Sequence, residues 1–190
     1  MVVYTKPEIM KGMVFTEFIE FVEDKFGFEM SNDIISESNL KSGGVYTAVG
    51  TYDFQEMVSL LTNLSRKSKI AIPDLLEVYG NHLFYRFVEL YPDLVSKQIG
   101  LFNFIEKIDG YIHVEVKKLY PDAELPQIIV RSRTKYALML LYKSERKLGN
   151  FALGLLKAAA DYFEEPMKMS MYNLVDDGAE VEFILEKTNV

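Results

Sequence analysis

The chain has 190 residues and a mass of 21.9 kDa, with 49% apolar residues, 13 Phe and 12 Tyr: material for one domain, or two small subdomains, with a packed core. A net charge of -7 and a pI near 5.0 argue against a broad phosphate-binding face. Cysteine is absent, which excludes disulfides, thiol redox chemistry, Cys nucleophiles and thiolate ligation of a metal or heme. The longest apolar run, Tyr136 to Tyr142, falls far short of the roughly 20 residues of a membrane-spanning helix. With Lys6, Pro7 and Glu8 early in the chain and no apolar leader, a soluble, cytoplasmic protein is expected, with residues 1–9 as an N-terminal extension.

The first helix is expected from Met10 to Phe26, where Val14, Phe18, Phe21, Val22 and Phe26 recur on one face and Gly27 supplies the stop. Ser31 to Ser38 reads as a short helix capped by Ser31. Lys41 to Gly44 breaks the pattern, and Val45 to Tyr52 is irregular or weakly extended. Asp53 caps a third helix reaching Lys67, and Pro73 suits the first turn of a fourth that ends before Tyr91-Pro92. A fifth helix is expected from Gly100 to Tyr120, with Gly110 as a weak point inside it.

After Pro126 the period changes. Gln127–Arg133 and Lys135–Ser144 read as strands, Lys147–Phe163 as a helix, and Met167–Leu174 and Glu180–Leu185 as two more strands joined by an Asp176-Asp177-Gly178 turn. The fold class is therefore α+β: a helical N-terminal subdomain (residues 10–70), then a C-terminal subdomain (71–190) built on a four-stranded antiparallel sheet with helices.

Two features carry chemistry. His82 and His113 are the only histidines. On the fifth helix the apolar stripe is Leu101, Ile105, Ile108, Ile112 and Val116, and His113 lies about 100° from its centre, at the edge of the apolar face. An isolated helical histidine is more commonly a satisfied or half-exposed residue than a ligand, and His82 is read as structural. The second feature is Tyr142, Ser144 and Arg146, which share a side if extended geometry continues past the strand. Two hydroxyls and a planar guanidinium suit paired carboxylates; the plainer reading is an ordinary solvent-facing strand end. No nucleophile elbow, phosphate loop, dinucleotide glycine motif or zinc spacing is present, so no enzyme is expected.

Taken in order, Met10-Lys11-Gly12, Ser42-Gly43-Gly44-Val45-Tyr46-Thr47, Gly80 with Leu83-Phe84, Tyr91-Pro92, the run from His113 to Pro121, and Tyr142-x-Ser144-x-Arg146 resemble H-NOX domains, the heme nitric oxide/oxygen binding modules also found in soluble guanylate cyclase. The resemblance, to stand-alone bacterial members, runs from Met10 to about Leu185. It implies heme b (iron protoporphyrin IX) buried between the two subdomains, with His113 as the axial iron ligand and Tyr142, Ser144 and Arg146 as the clamp on its propionates. It further implies that Pro126, thirteen residues after His113, presses on the porphyrin, and that Val14, Phe18, Leu83, Phe87 and Leu155 line the pocket.

Members that hold dioxygen stably carry a distal Tyr nine residues after the first clamp Tyr; here that position is Phe151. Without a donor there, the resemblance implies a sensor of nitric oxide, with carbon monoxide as a further ligand, unless Tyr85 or another Tyr supplies a hydroxyl. It implies release or lengthening of the His113 bond, relaxation of strain held at Pro126, and a signal passed to a separate partner, commonly a histidine kinase or a cyclic-di-GMP enzyme. The Cys-rich zinc site of some relatives is lost. Rival readings are a dioxygen-binding protein of the same fold, a heme peroxidase using His82, and a heme-free module.

Overall fold

The computed structural model describes residues 8–95, 99–175 and 178–188. The chain divides into two compact units: residues 1–75 with 122–124, and 76–121 with 125–190.

The first unit opens on β1 (Ile9–Lys11), paired antiparallel with β2 (Thr51–Asp53). Met10 and Lys11 thus belong to a strand, not to the first helix, and Ile9 is part of the fold where a loose extension was expected. Helix α1 (Gly12–Phe26) follows, ending at Gly27, whose φ of 88° suits only glycine. Helix α2 (Phe28–Glu37) starts earlier than Ser31. Ser31 is not its cap: it is buried within the helix, and its hydroxyl donates to Glu23 Oε1 at 3.2 Å. Helix α3 (Phe54–Ser68) begins as the sequence indicates, with the Asp53 carboxylate accepting from Gln55 N at 3.0 Å. Phe15, Phe18, Phe21, Ile34, Met57, Leu60 and Leu64 are fully enclosed.

The loop carrying Ser42 to Thr47 is tied to a buried acid. Glu56 accepts from Ser42 N at 3.1 Å, from the Ser42 hydroxyl at 2.5 Å and from the Tyr46 hydroxyl at 2.8 Å. The Tyr46 ring stacks on Phe15, centroids 4.5 Å apart. Gly12 is required beside it, because a side chain there would collide with the Thr47 carbonyl. Lys11 and Thr51 both reach Asp122, which returns to this unit from the far side of the chain. Two sequence motifs, Met10-Lys11-Gly12 and Ser42 to Thr47, are therefore explained by packing within the first unit.

The second unit begins inside α4 (Ile72–Leu90), which a single-turn 3-10 helix (Pro92–Leu94) follows. The expected fifth helix is three pieces: α5 (Leu101–Lys107), a π-helical turn (Ile108–Ile112) and α6 (His113–Leu119). Gly110 sits in the π turn, where one extra residue is accommodated and the His113 N–H reaches back five residues to Ile108 O. The stripe angle deduced for a continuous α-helix does not carry across this turn.

Strands β3 (Gln127–Arg133), β4 (Ala137–Lys143), β5 (Met167–Asn173) and β6 (Glu180–Lys187) form one antiparallel sheet in the order β3-β4-β6-β5. The fold is the expected α+β. Helix α7 (Gly149–Tyr162) lies between β4 and β5 in sequence; it lays Ala152, Leu156 and Ala159 into a core shared with Phe104, Leu138, Leu140 and Phe183. Asp176 and Asp177 of the expected turn lie outside the described residues.

Candidate functional site

Asp109 lies in the first half of the π turn, and His113 directly follows its last residue. His113 Nδ1 lies 2.8 Å from Asp109 Oδ1, while Asp109 Oδ2 accepts from Ile128 N at 3.0 Å. Ile128 is free to make that bond because β3 is the sheet's edge strand, so its N–H faces away from β4. Ile128 in turn stands directly opposite Tyr142 on β4. One carboxylate thus ties the imidazole to the start of β3, and the register ties β3 to the tyrosine. Pro126 comes two residues before Ile128, immediately ahead of the strand.

Tyr142 is buried on the core face with Leu138 and Leu140. Burial raises its hydroxyl pKa, against the opposing effects of a hydrogen bond with Ser144 and the Arg146 charge. The strand does not continue to Ser144 as expected; β4 ends at Lys143 and the chain turns, with Lys147 at φ 56° and Lys147 N bonded to Ser144 O at 3.2 Å. Ser144 and the Arg146 charge both act on the Tyr142 hydroxyl, and the Ser144 hydroxyl accepts from Arg146 N at 3.3 Å, so a turn, rather than strand alternation, brings the three residues together.

His113 is partly buried, with 18% of its side chain exposed. Burial lowers its pKa, with the Lys117 charge acting the same way and Asp109 opposing both. The ring is therefore biased toward the neutral form that binds a metal. Asp109 Oδ1 is buried, and despite its closeness to Nδ1 it has no aligned hydrogen bond among the described residues. That orphaned oxygen suits an Nδ1–H and leaves the Nε2 lone pair for iron. Two hydroxyls and a guanidinium near Tyr142 suit two carboxylates. These residues fit a heme. Asp109 was overlooked in the sequence, where its position four residues before His113 on a helical stretch was the available signal.

The expected apolar lining is split between the units. Val14 and Phe18 lie on α1 of the first; Leu83 and Phe87 on α4, and Phe151 and Leu155 on α7, belong to the second. There α4 and α7 touch backbone to backbone at Gly80, which faces Phe151 O and Leu155 N. The Phe151 ring meets Tyr79, 5.3 Å between centroids. His82 lies on α4, and Tyr85 is 39% exposed, edge-on to Phe84.

A cleft of about 600 Å³ lies elsewhere, lined by Gly100, Phe102, Arg133, Thr134, Lys135 and Lys187 among others. It sits at the β3–β4 hairpin, and antiparallel register puts that at the opposite end of the strands from Tyr142. No group of three or more His, Asp or Glu side chains among the described residues could hold a bare metal ion.

The mixed α+β fold, the half-buried imidazole and the polar cluster beside Tyr142 together suit a heme-binding domain. A family model described as haem-NO-binding matches residues 11–171, and the chain belongs to this H-NOX family. Unliganded Fe(II) H-NOX from K. algicida is 43% identical with a TM-score of 0.91, the match covering 95% of this chain and 98% of that one. An H-NOX from Shewanella woodyi, in its Fe(II)CO state with IWP-051 bound, is 37% identical with a TM-score of 0.81 and 95% coverage of both chains. An S. oneidensis H-NOX in the Fe(II)NO state is 26% identical with a TM-score of 0.84, covering 95% of this chain and all 100% of that one. No curated protein matches the chain. Members of this family bind heme and sense gases. No helix among the described residues is long and apolar enough to cross a membrane.

Proposed function

We propose that this protein is a ferrous-heme sensor of nitric oxide that does not hold dioxygen, and that it signals to a separate protein. The observation that supports it most is the link from His113 through Asp109 to Ile128, which stands opposite Tyr142 at the start of β3. Heme, when bound, would supply an iron that takes a diatomic gas. His113 would hold that iron through Nε2. Arg146, Ser144 and Tyr142 would neutralise and orient the propionates, Pro126 would abut the ring, and Leu83, Phe87 and Leu155 would keep water out.

Phe151 decides ligand choice. Dioxygen bound to ferrous iron gathers negative charge and is held by a hydrogen-bond donor, which a phenyl ring lacks; nitric oxide needs none. A dioxygen-binding reading has one observation in its favour: Tyr79 is buried beside Phe151 and is a phenol. Absorption spectra of the dithionite-reduced protein, alone, with nitric oxide and in air, separate the two. A nitrosyl spectrum with no stable oxy complex supports nitric oxide sensing; a stable oxy complex abolished by Tyr79→Phe moves the protein to the dioxygen branch.

The partner we propose, as the family resemblance implies, is a histidine kinase or a cyclic-di-GMP enzyme. Gas-dependent change in the activity of a co-purified partner of either type tests this, and a partner indifferent to nitric oxide counts against it.

A further inference from the structure

We infer that Asp109 is a positioning residue for the iron-binding histidine: its carboxylate holds the His113 Nδ1 proton, strengthens the iron–histidine bond, and sets how readily that bond yields to nitric oxide. The inference rests on the heme reading above and goes beyond it in assigning a residue that controls the response.

The geometry that carries it is the division of labour between the two carboxylate oxygens. Oδ2 is engaged by Ile128 N at 3.0 Å, which fixes the carboxylate against the edge of the sheet. Oδ1 is buried, 2.8 Å from His113 Nδ1, with no aligned hydrogen bond among the described residues. A buried acceptor without an aligned donor is costly, and the proton on Nδ1 is the donor at hand. A modest turn of the imidazole about its ring torsion aligns the two. The tautomer is then settled, because a proton on Nδ1 leaves Nε2 as the ligating nitrogen. A carboxylate accepting that proton also makes the imidazole more basic and a stronger donor to iron.

The π turn supplies the placement. It inserts one residue immediately before His113, and Asp109 and His113 flank its middle. Gly110 lies between them in open space, so the turn is not forced by packing at that position. Because Asp109 is bonded to β3, any pull on His113 is felt at the strand opposite Tyr142.

The test uses the heme-loaded protein and its Asp109→Asn and Asp109→Glu variants. Asn keeps an oxygen for Ile128 N but turns an amide donor toward Nδ1, and Glu restores the charge. Resonance Raman of the reduced proteins reads the iron–histidine stretch, and absorption of the nitrosyl forms reads whether histidine stays bound. The expected result is a lower stretching frequency in Asp109→Asn, a larger five-coordinate nitrosyl fraction, heme bound about 10–100-fold more weakly, and partial return in Asp109→Glu. A residue that only anchored β3 would not move the stretch. An unchanged stretch in a heme-replete Asn variant overturns the inference.

Should Asp109→Asn fail to fold, the wild type decides. In its diamagnetic ferrous carbonyl form, a downfield, exchange-protected His113 Nδ1 proton supports the carboxylate bond, and a rapidly exchanging one overturns it. Absence of any iron–histidine band in wild type is a different failure, that of the heme reading itself.

Discussion

Gly80 of α4 lies so close to the Phe151 carbonyl of α7 that a methyl group on it would sit inside 3.0 Å of that oxygen. The relationship is reciprocal: a methyl group on Gly154 of α7 would strike the Glu77 carbonyl of α4. Two glycines therefore let these helices cross backbone to backbone, at the place that sets where Leu83, Phe151 and Leu155 stand.

Gly80→Ala and Gly154→Ala should each destabilise the protein by about 1–3 kcal/mol, since backbone atoms rather than flexible side-chain ends are hit. Their effects should be less than additive, because once one methyl has pushed the helices apart the other finds room. Urea unfolding of the single and double variants measures this. Strict additivity would mean that the two contacts relax independently.

How much of this was legible in the sequence depended on what signal each element leaves. Asp53 announced α3 and Pro73 announced α4, because capping and the fixed φ of proline are local chemistry. β3 was bounded by the same chemistry, Pro126 before it and polar residues after. By contrast, β1 is three residues long, too short for any period to show. The π turn differs from an α-helix by one inserted residue and leaves only Gly110 as a trace. Tyr142, Ser144 and Arg146 were named for a strand that stops at Lys143; a turn hydrogen bond between Ser144 and Arg146, which spacing does not reveal, follows it. Asp109 escaped because its partners, His113 and Ile128, lie on different elements.

Phe151→Tyr should create a ferrous protein that forms an oxy complex in air. The substitution adds one hydroxyl where α7 meets α4, beside the Tyr79 ring. Autoxidation monitored in air-saturated buffer reads the outcome. A variant as indifferent to dioxygen as wild type would show that position 151 does not face the bound gas.

Removing the guanidinium in Arg146→Ala should speed heme loss to an apoprotein scavenger by roughly ten- to hundredfold, the equivalent of about 1.5–3 kcal/mol for a charge-assisted hydrogen bond. Tyr142→Phe should cost less, since a neutral hydroxyl contributes about 0.5–1.5 kcal/mol. The order matters: a larger loss for Tyr142→Phe would make the Tyr142 hydroxyl, not the guanidinium, the principal propionate contact.

Glu56→Leu should destabilise the protein by several kcal/mol without touching the heme site residues. It strands the Ser42 N–H, the Ser42 hydroxyl and the Tyr46 hydroxyl, each at about 1–3 kcal/mol if buried and unsatisfied. Glu56→Gln, which keeps an acceptor oxygen, should recover part of the loss. Chemical denaturation compares the pair, and equal losses would mean that shape rather than hydrogen bonding holds the loop.

The stability of the heme-free protein should fall as pH drops below 6.5, the ordinary histidine value, and His113 should account for part of the slope. Burial, with Lys117 adding to it, holds the folded-state pKa of His113 below that value against the pull of Asp109. Above 6.5 the imidazole is neutral in both folded and unfolded chains, and its contribution is fully present. Between 6.5 and the lower folded-state value the unfolded chain binds more protons, so acid favours unfolding; below the folded-state value both states are protonated and the slope from this residue ends. Urea midpoints at about pH 7.5 and about pH 5.5, for wild type and His113→Leu, isolate the effect from that of the carboxylates. The variant should lose less stability over this interval than wild type. An equal loss in both would show that the Asp109 carboxylate offsets burial in full and that His113 carries a proton in the folded protein as readily as in the unfolded chain.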